Sequence, residues 1–310
     1  MTFWLEQRLN LAFILSHHTI TSMPELPEVE TVRLQLLSKI KNKQIKKVQV
    51  LNEKTVRCNN AFSKKLAGQT FSDINRVGKL MIFAFENEPD LFLLAHLKMT
   101  GQFFFVDKKK KVSGGGHSMT VADQTDLPNK HTRVAFNLTD GSALFFNDMR
   151  KFGYIELADA EMVKKAKSRF GPEPIKADFD KALFASKLKK KNRSIKTVLL
   201  DQTFIAGLGN IYVDEVLFKA KVNPERKASE VTRKEAYAIA KASGEVMNKS
   251  ISVGGTTFQY FKDTGGQNGN YIDYLKVFGK QKTPCPRCEA IIQKIRVSGR
   301  GTHYCPSCQK

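Results

Sequence analysis

The stretch "SRFGPEPIKADFD", residues 168 to 180, separates two kinds of sequence pattern. Gly171, Pro172 and Pro174 interrupt any regular periodicity there, because proline removes a backbone donor and glycine favours turns. Upstream, from about residue 45 to 157, the apolar runs are short, β-branched or aromatic: "KKVQVL", "KLMIFAF", "LFLLAHLKM", "GQFFFV", "TRVAFNL", "ALFFND" and "YIELA". Runs of this kind between turn residues predict the strands of a β-sandwich or barrel. Ahead of them, "ELPEVETVRLQLLSKI" sets Val29, Val32, Leu36, Leu37 and Ile40 on one helical face, with Pro27 near the first turn, where a missing N–H costs nothing. Downstream of the break, "DKALFASKLKK", "SIKTVLLDQ", "NIYVDEVLFKA" and "RKEAYAIAKASGEVMNKSI" have helical spacing.

The expected architecture is therefore an α+β multidomain chain. Residues 23–157 form a strand-rich domain, 158–180 a hinge linker, 181–278 a helical domain and 279–310 a small cysteine-bearing unit. Residues 1–22, "MTFWLEQRLNLAFILSHHTITS", have too short an apolar core for a secretory leader and are followed by no small-residue cleavage site. The polar, Gly-rich stretch from about 107 to 129 reads as a long exposed loop with a solvated lysine run.

A formal charge of +21 in 310 residues points to a polyanionic partner. Nucleic acid fits better than a membrane, because no apolar run of spanning length is present. Four of the five cysteines crowd the C-terminus as Cys285-x2-Cys288, sixteen residues, then Cys305-x2-Cys308. That spacing suits one tetrahedral Zn2+ held by four thiolates; with no position left for water, the metal is structural. Between the pairs, "IIQKIRVSGRGTHY" alternates like a hairpin with Ser298, Gly299, Arg300 and Gly301 as its turn, presenting Arg300 as a probe for DNA. Asn210 stands where a helix would begin after Gly207 and Gly209, a favoured cap position whose free N–H groups could hold a phosphate.

In order along the chain stand "PELPEVE" (24–30), "GK" (78–79), "HLKMTG" (96–101), "NDMRKFG" (147–153), "GLGNIYVDE" (207–215), "GGTT" (254–257) and "GRGTHYCPSC" (299–308). With these motifs the sequence from Met23 to Lys310 resembles the bacterial formamidopyrimidine-DNA glycosylase family. The resemblance implies an N-terminal β-sandwich flanked by helices, a C-terminal helix–two-turns–helix domain and a four-cysteine zinc finger, with damaged double-stranded DNA in the cleft. It implies a base excision repair enzyme that removes 8-oxoguanine and formamidopyrimidines and nicks the strand by β,δ-elimination. The expected enzyme is a cytoplasmic, nucleoid-associated monomer with one structural zinc.

Carried over residue by residue, the resemblance implies that Pro24, freed as an N-terminal amine by loss of Met23, is the nucleophile. A free α-amine has a pKa of about 8 and can form a Schiff base, whereas an internal proline nitrogen is an amide. Glu25 corresponds to the general acid, supported by Glu28; Lys79 to a β-strand lysine that touches phosphate and serves elimination; and Arg300 to the arginine of the second elimination. His96 and Asn210 complete a phosphate clamp with Arg300, and His131 and Lys191 match further DNA contacts. Met99, Arg150 and Phe152 correspond to the residues that fill the gap left by an extruded nucleotide. The segment 254–279 fits a loop that caps the extruded purine.

The sequence departs from the family in the long 107–129 stretch and in residues 1–22, which would block the amine if retained. The alternatives are a noncatalytic lesion-binding protein carrying that extension, or an endonuclease VIII-like pyrimidine glycosylase. The latter group usually begins Pro-Glu-Gly-Pro, unlike this chain.

Overall fold

The structure is a computed structural model that describes residues 24–57, 61–115, 126–256 and 270–310. Helix α1 (Leu26–Ile40) carries Pro27 in its first turn, as its sequence predicts, and the Glu25 N–H donates to the Glu28 carboxylate at 2.9 Å. Two five-stranded sheets follow. One contains β1 (Ile45–Val50), β6 (Gly101–Val106), β7 (Val112–Gly115), β8 (Thr132–Leu138) and β9 (Ala143–Asp148) in the order β1-β8-β9-β6-β7. The other contains β2 (Val56–Arg57), β3 (Phe71–Val77), β4 (Leu80–Phe85), β5 (Phe92–His96) and β10 (Tyr154–Ala158) in the order β2-β10-β5-β4-β3. A short helix, α2 (Phe62–Leu66), precedes β3.

The sheets enclose one core. Phe103, Phe105, Phe136 and Phe146 from the first meet Phe71, Phe83, Phe85 and Leu93 from the second, and Val29, Val32, Leu36 and Ile40 of α1 join them. Strand β4 lacks polar alternation because both of its faces are covered: Leu80 and Ile82 face away from this core and pack with Val163 of α3 (Ala160–Lys167). All seven predicted strands form; β2, β3 and β7 were not predicted. Strand β7 corrects part of the expected 107–129 loop, since residues 112–115 pair with β6. A Cβ on Gly114 would lie 2.3 Å from the Phe103 carbonyl oxygen, so the glycine richness that reads as loop is what lets this edge approach. Residues 116–125 of that loop lie outside the described residues.

Beyond α3, the four predicted helices appear as α4 (Lys181–Leu188), α5 (Ile195–Leu200), α6 (Asn210–Ala220) and α7 (Arg233–Ser252). Asp180, Ser194 and Thr232 cap α4, α5 and α7 through their side chains. Their shared core includes Leu199, Ile205, Tyr212, Leu217, Ile239 and Met247, and also Leu26 from the start of α1. The Leu26 N–H donates to Gly207 O at 3.1 Å. Gly207, at φ +100, has room for no Cβ, which would meet Leu26 Cδ1 at 2.3 Å. One turn of α1 thus contributes to both domain cores. No helix among the described residues is long and apolar enough to cross a membrane.

The C-terminal unit is a hairpin of β11 (Gln293–Val297) and β12 (Arg300–Tyr304). Its turn is only Ser298 and Gly299, with φ of 48° and 78°, the doubly positive pair of a type I′ turn. Arg300 and Gly301, expected in the turn, instead open β12, with Arg300 paired to Val297. Fully buried Lys196 of α5 reaches Asp214 of α6 at 2.6 Å and Gly301 O at 3.1 Å, and Asp214 also accepts the His303 N–H at 2.8 Å. Removing one partner of such a pair strands a charge in the interior. Asp214→Ala is expected to lower stability by roughly 3–5 kcal/mol, read as an earlier urea transition in far-ultraviolet circular dichroism. An unchanged transition would show that the pair does not hold the hairpin.

Candidate active site

The loop Gly207–Gly209 delivers the N-terminus of α6 to the residues that precede α1. Asn210, expected as the cap, is instead the first helical residue, and Gly209 holds the cap position with no side chain to offer. The cap comes from the other domain. The Glu25 carboxylate accepts the N–H groups of Gly209 at 2.7 Å, Ile211 at 2.8 Å and Tyr212 at 3.3 Å. A Cβ on Gly209 would lie 2.3 Å from Glu25 Cδ, so glycine here makes room for the foreign carboxylate.

Glu28, one turn on, has an equally closed environment. It accepts the hydroxyl of Tyr212 and both the N–H and hydroxyl of Thr256, each of the latter at 2.8 Å. Pro24, Glu25 and Glu28 are all buried. Burial pushes the Glu25 carboxyl up to about 7, with Lys79 opposing and Glu28 adding to the rise. The α6 amides pull the other way, yet the group remains a proton donor near neutrality.

Lys79 lies in the two-residue turn Gly78-Lys79 between β3 and β4, rather than in a strand. Gly78 is at φ +56, and a Cβ there would strike the Phe170 ring at 2.7 Å. Its N–H donates to buried Glu173 at 2.6 Å, and Glu173 also binds Arg76 at 2.6 Å. The turn is therefore fixed, and the lysine it presents is buried. Desolvation lowers the Lys79 pKa, against the attraction of Glu25 and Glu28 and with help from Arg300 and Lys98.

His96 ends β5 in the same field. Burial, reinforced by Lys98, Lys79 and Arg57, pushes its imidazole down to about 3, so it is neutral at physiological pH. Nδ1 accepts the Lys98 N–H at 3.0 Å. The ring proton is then on Nε2, which makes His96 a neutral donor suited to a phosphate oxygen. Asn210 Nδ2 donates to Gly301 O at 3.0 Å, beside exposed Arg300. Glu25, Glu28, Lys79, His96, Asn210 and Arg300 thus converge on one region.

A second group lies alongside. Met99 is half-buried, whereas Arg150 and Phe152 are exposed, with the guanidinium 5.0 Å from the Phe152 ring centre. None of the three belongs to a hydrophobic core. His131 adjoins their loop, its carbonyl accepting the Asp148 N–H at 2.9 Å. Lys191 is separate: it follows α4, with its ammonium 5.9 Å from the Phe204 ring centre. Residues 257–269, half of the expected purine-capping loop at 254–279, lie outside the described residues.

The four cysteines are free thiols whose Sγ atoms all lie within 4.8 Å of one another. Three of the separations are 3.2, 3.5 and 3.9 Å. A tetrahedron with Zn–S bonds of about 2.3 Å has edges near 3.8 Å, so the donor set fits a closed, structural zinc site.

Three family models match successive parts of the chain. Residues 23–155 match the formamidopyrimidine-DNA glycosylase N-terminal domain, 170–262 its H2TH domain, and 283–310 the zinc finger found in FPG and IleRS. The chain belongs to the formamidopyrimidine-DNA glycosylase family. The glycosylase of Listeria monocytogenes serotype 4b is 39% identical over 292 residues, covering 93% of this chain and all of that one. The Streptococcus mutans enzyme is 41% identical over 291 residues, with the same coverage. A Lactococcus lactis Fpg in complex with abasic-site DNA superposes with a TM-score of 0.81 at 36% identity, covering 92% of this chain and 99% of its own. A complex of a Lactococcus lactis mutant with Fapy-dG DNA gives 0.80 at 36% identity, covering 93% of this chain and all of that one.

The C-terminal unit is held by residues to which the sequence analysis assigned no role of their own. Lys196, Asp214 and Glu215 anchor the zinc-bearing segment, Glu215 by accepting the N–H groups of Lys276, Val277 and Phe278 at 2.8–2.9 Å. The available signal was two adjacent acids inside the apolar helix "NIYVDEVLF", which cannot be buried without partners.

Two outcomes follow from this geometry. The Glu25 carboxyl is expected to titrate at about 7 in carbon-13 spectra, and at lower pH in Glu28→Gln, which removes a neighbouring negative charge. A wild-type midpoint in the ordinary glutamate range would contradict the burial argument. Cys305→Ser is expected to abolish tight binding to lesion DNA by releasing the Arg300 hairpin while the β-sandwich remains folded. A metal-free variant with unaltered binding would disconnect the zinc from the DNA contact.

Proposed function

We propose that Pro24, Glu25, Lys79 and Arg300 carry out the chemistry of the family in this chain. As a family member it is a DNA glycosylase for oxidised purines, and abasic-site lyase activity is a general property of that family. In this proposal the substrate is duplex DNA carrying 8-oxoguanine or a formamidopyrimidine. The observation that carries the residue assignment is the buried Glu25 carboxyl, directly after Pro24 and beneath the N-terminus of α6.

The Pro24 amine attacks the sugar C1′ while the C1′–N bond to the damaged base breaks, and the base leaves with the bonding electrons. Glu25, protonated near neutrality by burial, gives its proton to the ring oxygen as the sugar opens, and the proton lost by the attacking amine balances the charge on the departing base, leaving the Schiff base. An α-amine pKa of about 8 beside a Glu25 carboxyl raised to about 7 leaves a fraction of molecules with the amine neutral and the acid protonated around neutral pH. Lys79, made less basic by burial, removes the proton that starts β-elimination, and Arg300 assists the second elimination. His96, Asn210 and Arg300 hold the flanking phosphates, and His131 and Lys191 extend the DNA contact. Met99, Arg150 and Phe152 fill the gap left by the extruded nucleotide. A monomer acting on the nucleoid in the bacterial cytoplasm completes the proposal.

The nucleophile requires a free amine, so the working enzyme begins at Pro24, and residues 1–22 stand outside it. The start of the first family model at residue 23 supports this division. The remaining units are 23–157, the linker 158–180, the helical domain 181–278 and the zinc finger 279–310. Borohydride is expected to trap the Pro24-initiated protein covalently on abasic DNA. A form retaining Met1 should bind the same DNA without being trapped, as expected for a noncatalytic lesion-binding protein. Trapping of that intact long form through Lys79 would overturn Pro24 as the nucleophile.

A further inference from the structure

The segment carrying Met99 and the segment carrying Arg150 and Phe152 are different loops, following β5 and β9. Insertion into a base stack requires that they advance as one body, yet Met99, Arg150 and Phe152 belong to no hydrophobic core that would join them. The contact that joins them lies underneath. Asp148, the last residue of β9, is fully buried, and its carboxylate accepts the Thr100 hydroxyl from the first loop. The same carboxylate takes the N–H of Arg150 at 3.1 Å and of Gly153 at 2.6 Å from the second. Thr100 closes the ring by accepting the Arg150 N–H at 3.0 Å. A third segment is tied in through the main chain, as Arg133 Nε donates to Asp148 O at 2.8 Å and the Asp148 N–H donates to His131 O at 2.9 Å.

The pair at its centre is buried: Asp148 is 0% and Thr100 8% exposed. The donors come from loop positions that no sheet ladder satisfies, so the carboxylate is what gives both loops their shape. Gly153 is required for the closeness, since a Cβ there would sit 3.0 Å from Asp148 Oδ2 and 3.2 Å from His96 O. That second approach brings the Phe152 loop against the residue that ends β5, so the gap-filling loops and the His96 position share one support.

We infer that the buried Thr100–Asp148 pair is a positioning device for DNA intercalation, locking the Met99 loop and the Arg150–Phe152 loop into a single wedge. The inference rests on the assignment of Met99, Arg150 and Phe152 as the residues that replace an extruded nucleotide. Neither Thr100 nor Asp148 touches DNA in this account; they act through the loops they hold.

The test compares Thr100→Val, Thr100→Ser, Asp148→Asn and the double variant Met99→Ala/Phe152→Ala, all beginning at Pro24. Two rates are measured, excision of 8-oxoguanine from duplex and cleavage of a preformed abasic site, together with fluorescence of 2-aminopurine opposite the lesion, which reports unstacking. Val keeps the shape of Thr and loses the hydroxyl, so Thr100→Val should lose about a hundredfold in duplex excision, as a misplacement of about 1 Å can cause. Abasic-site cleavage should change far less, the fluorescence rise should disappear, and Thr100→Ser should restore both. Asp148→Asn should behave like Thr100→Val, because its amide would meet the Gly153 N–H with a second donor. If Asp148→Asn does not fold, the Val and Ser variants decide the matter alone. Wild-type excision and fluorescence in Thr100→Val, beside an impaired double variant, would overturn the positioning role and leave the wedge assignment intact. Equal losses on both DNA substrates would also overturn it. An unimpaired double variant would remove the wedge assignment, and the inference with it.

Discussion

The carboxylate of Glu25 at the N-terminus of α6 is the interaction on which the arrangement of the two domains depends. Three amide hydrogens that a helix start leaves unpaired are satisfied by a side chain nearly two hundred positions earlier in the chain. Leu26 and Glu28 reinforce the contact on either side, one by entering the helical core and the other by binding Tyr212 and Thr256. The same contact sets the chemistry. Amide donors favour the carboxylate, whereas burial and Glu28 favour the acid, and the balance leaves a proton available near neutral pH. The helix cap and the proposed proton donor are therefore one group, and loosening the domain contact would also change its acidity.

A wider pattern accompanies it. The chain has far fewer acids than bases, yet Glu25, Glu28, Asp148, Glu173, Asp214 and Glu215 are all buried. Each accepts N–H groups from segments distant in sequence or from loops outside the sheet ladders. Ionised carboxylates make strong bonds to backbone amides, so these few acids organise turns and domain contacts. Their withdrawal also leaves the surface more positive than composition alone implies, which favours association with a polyanion.

Precision at the site comes from glycine as much as from charge. Gly78, Gly207 and Gly209 each stand where a Cβ would collide with Phe170, Leu26 or Glu25, and Gly78 and Gly209 lie beside Lys79 and Glu25 of the proposed chemistry. A distant carboxylate takes part as well: Glu173 accepts the Gly78 N–H and so holds the turn that presents Lys79.

Local pattern was enough to determine much of this protein. Strand and helix periodicity located the seven predicted strands, the helix after Pro24 and the four C-terminal helices, because each buries a face whose spacing is written in consecutive residues. The paired CxxC spacing identified the zinc site for a similar reason, since each turn supplies two ligands. Motif order gave the family. Strands β2, β3 and β7 were missed because edge strands are short, polar or glycine-rich and take their pairing from a neighbour. Only the tertiary structure decided that Gly209 rather than Asn210 holds the cap position, that Lys79 sits in a turn, and that Asp148, Lys196, Asp214 and Glu215 are anchors. The acidity of a carboxyl and the partner of a buried charge depend on groups brought together from across the chain, and sequence spacing carries no record of that proximity.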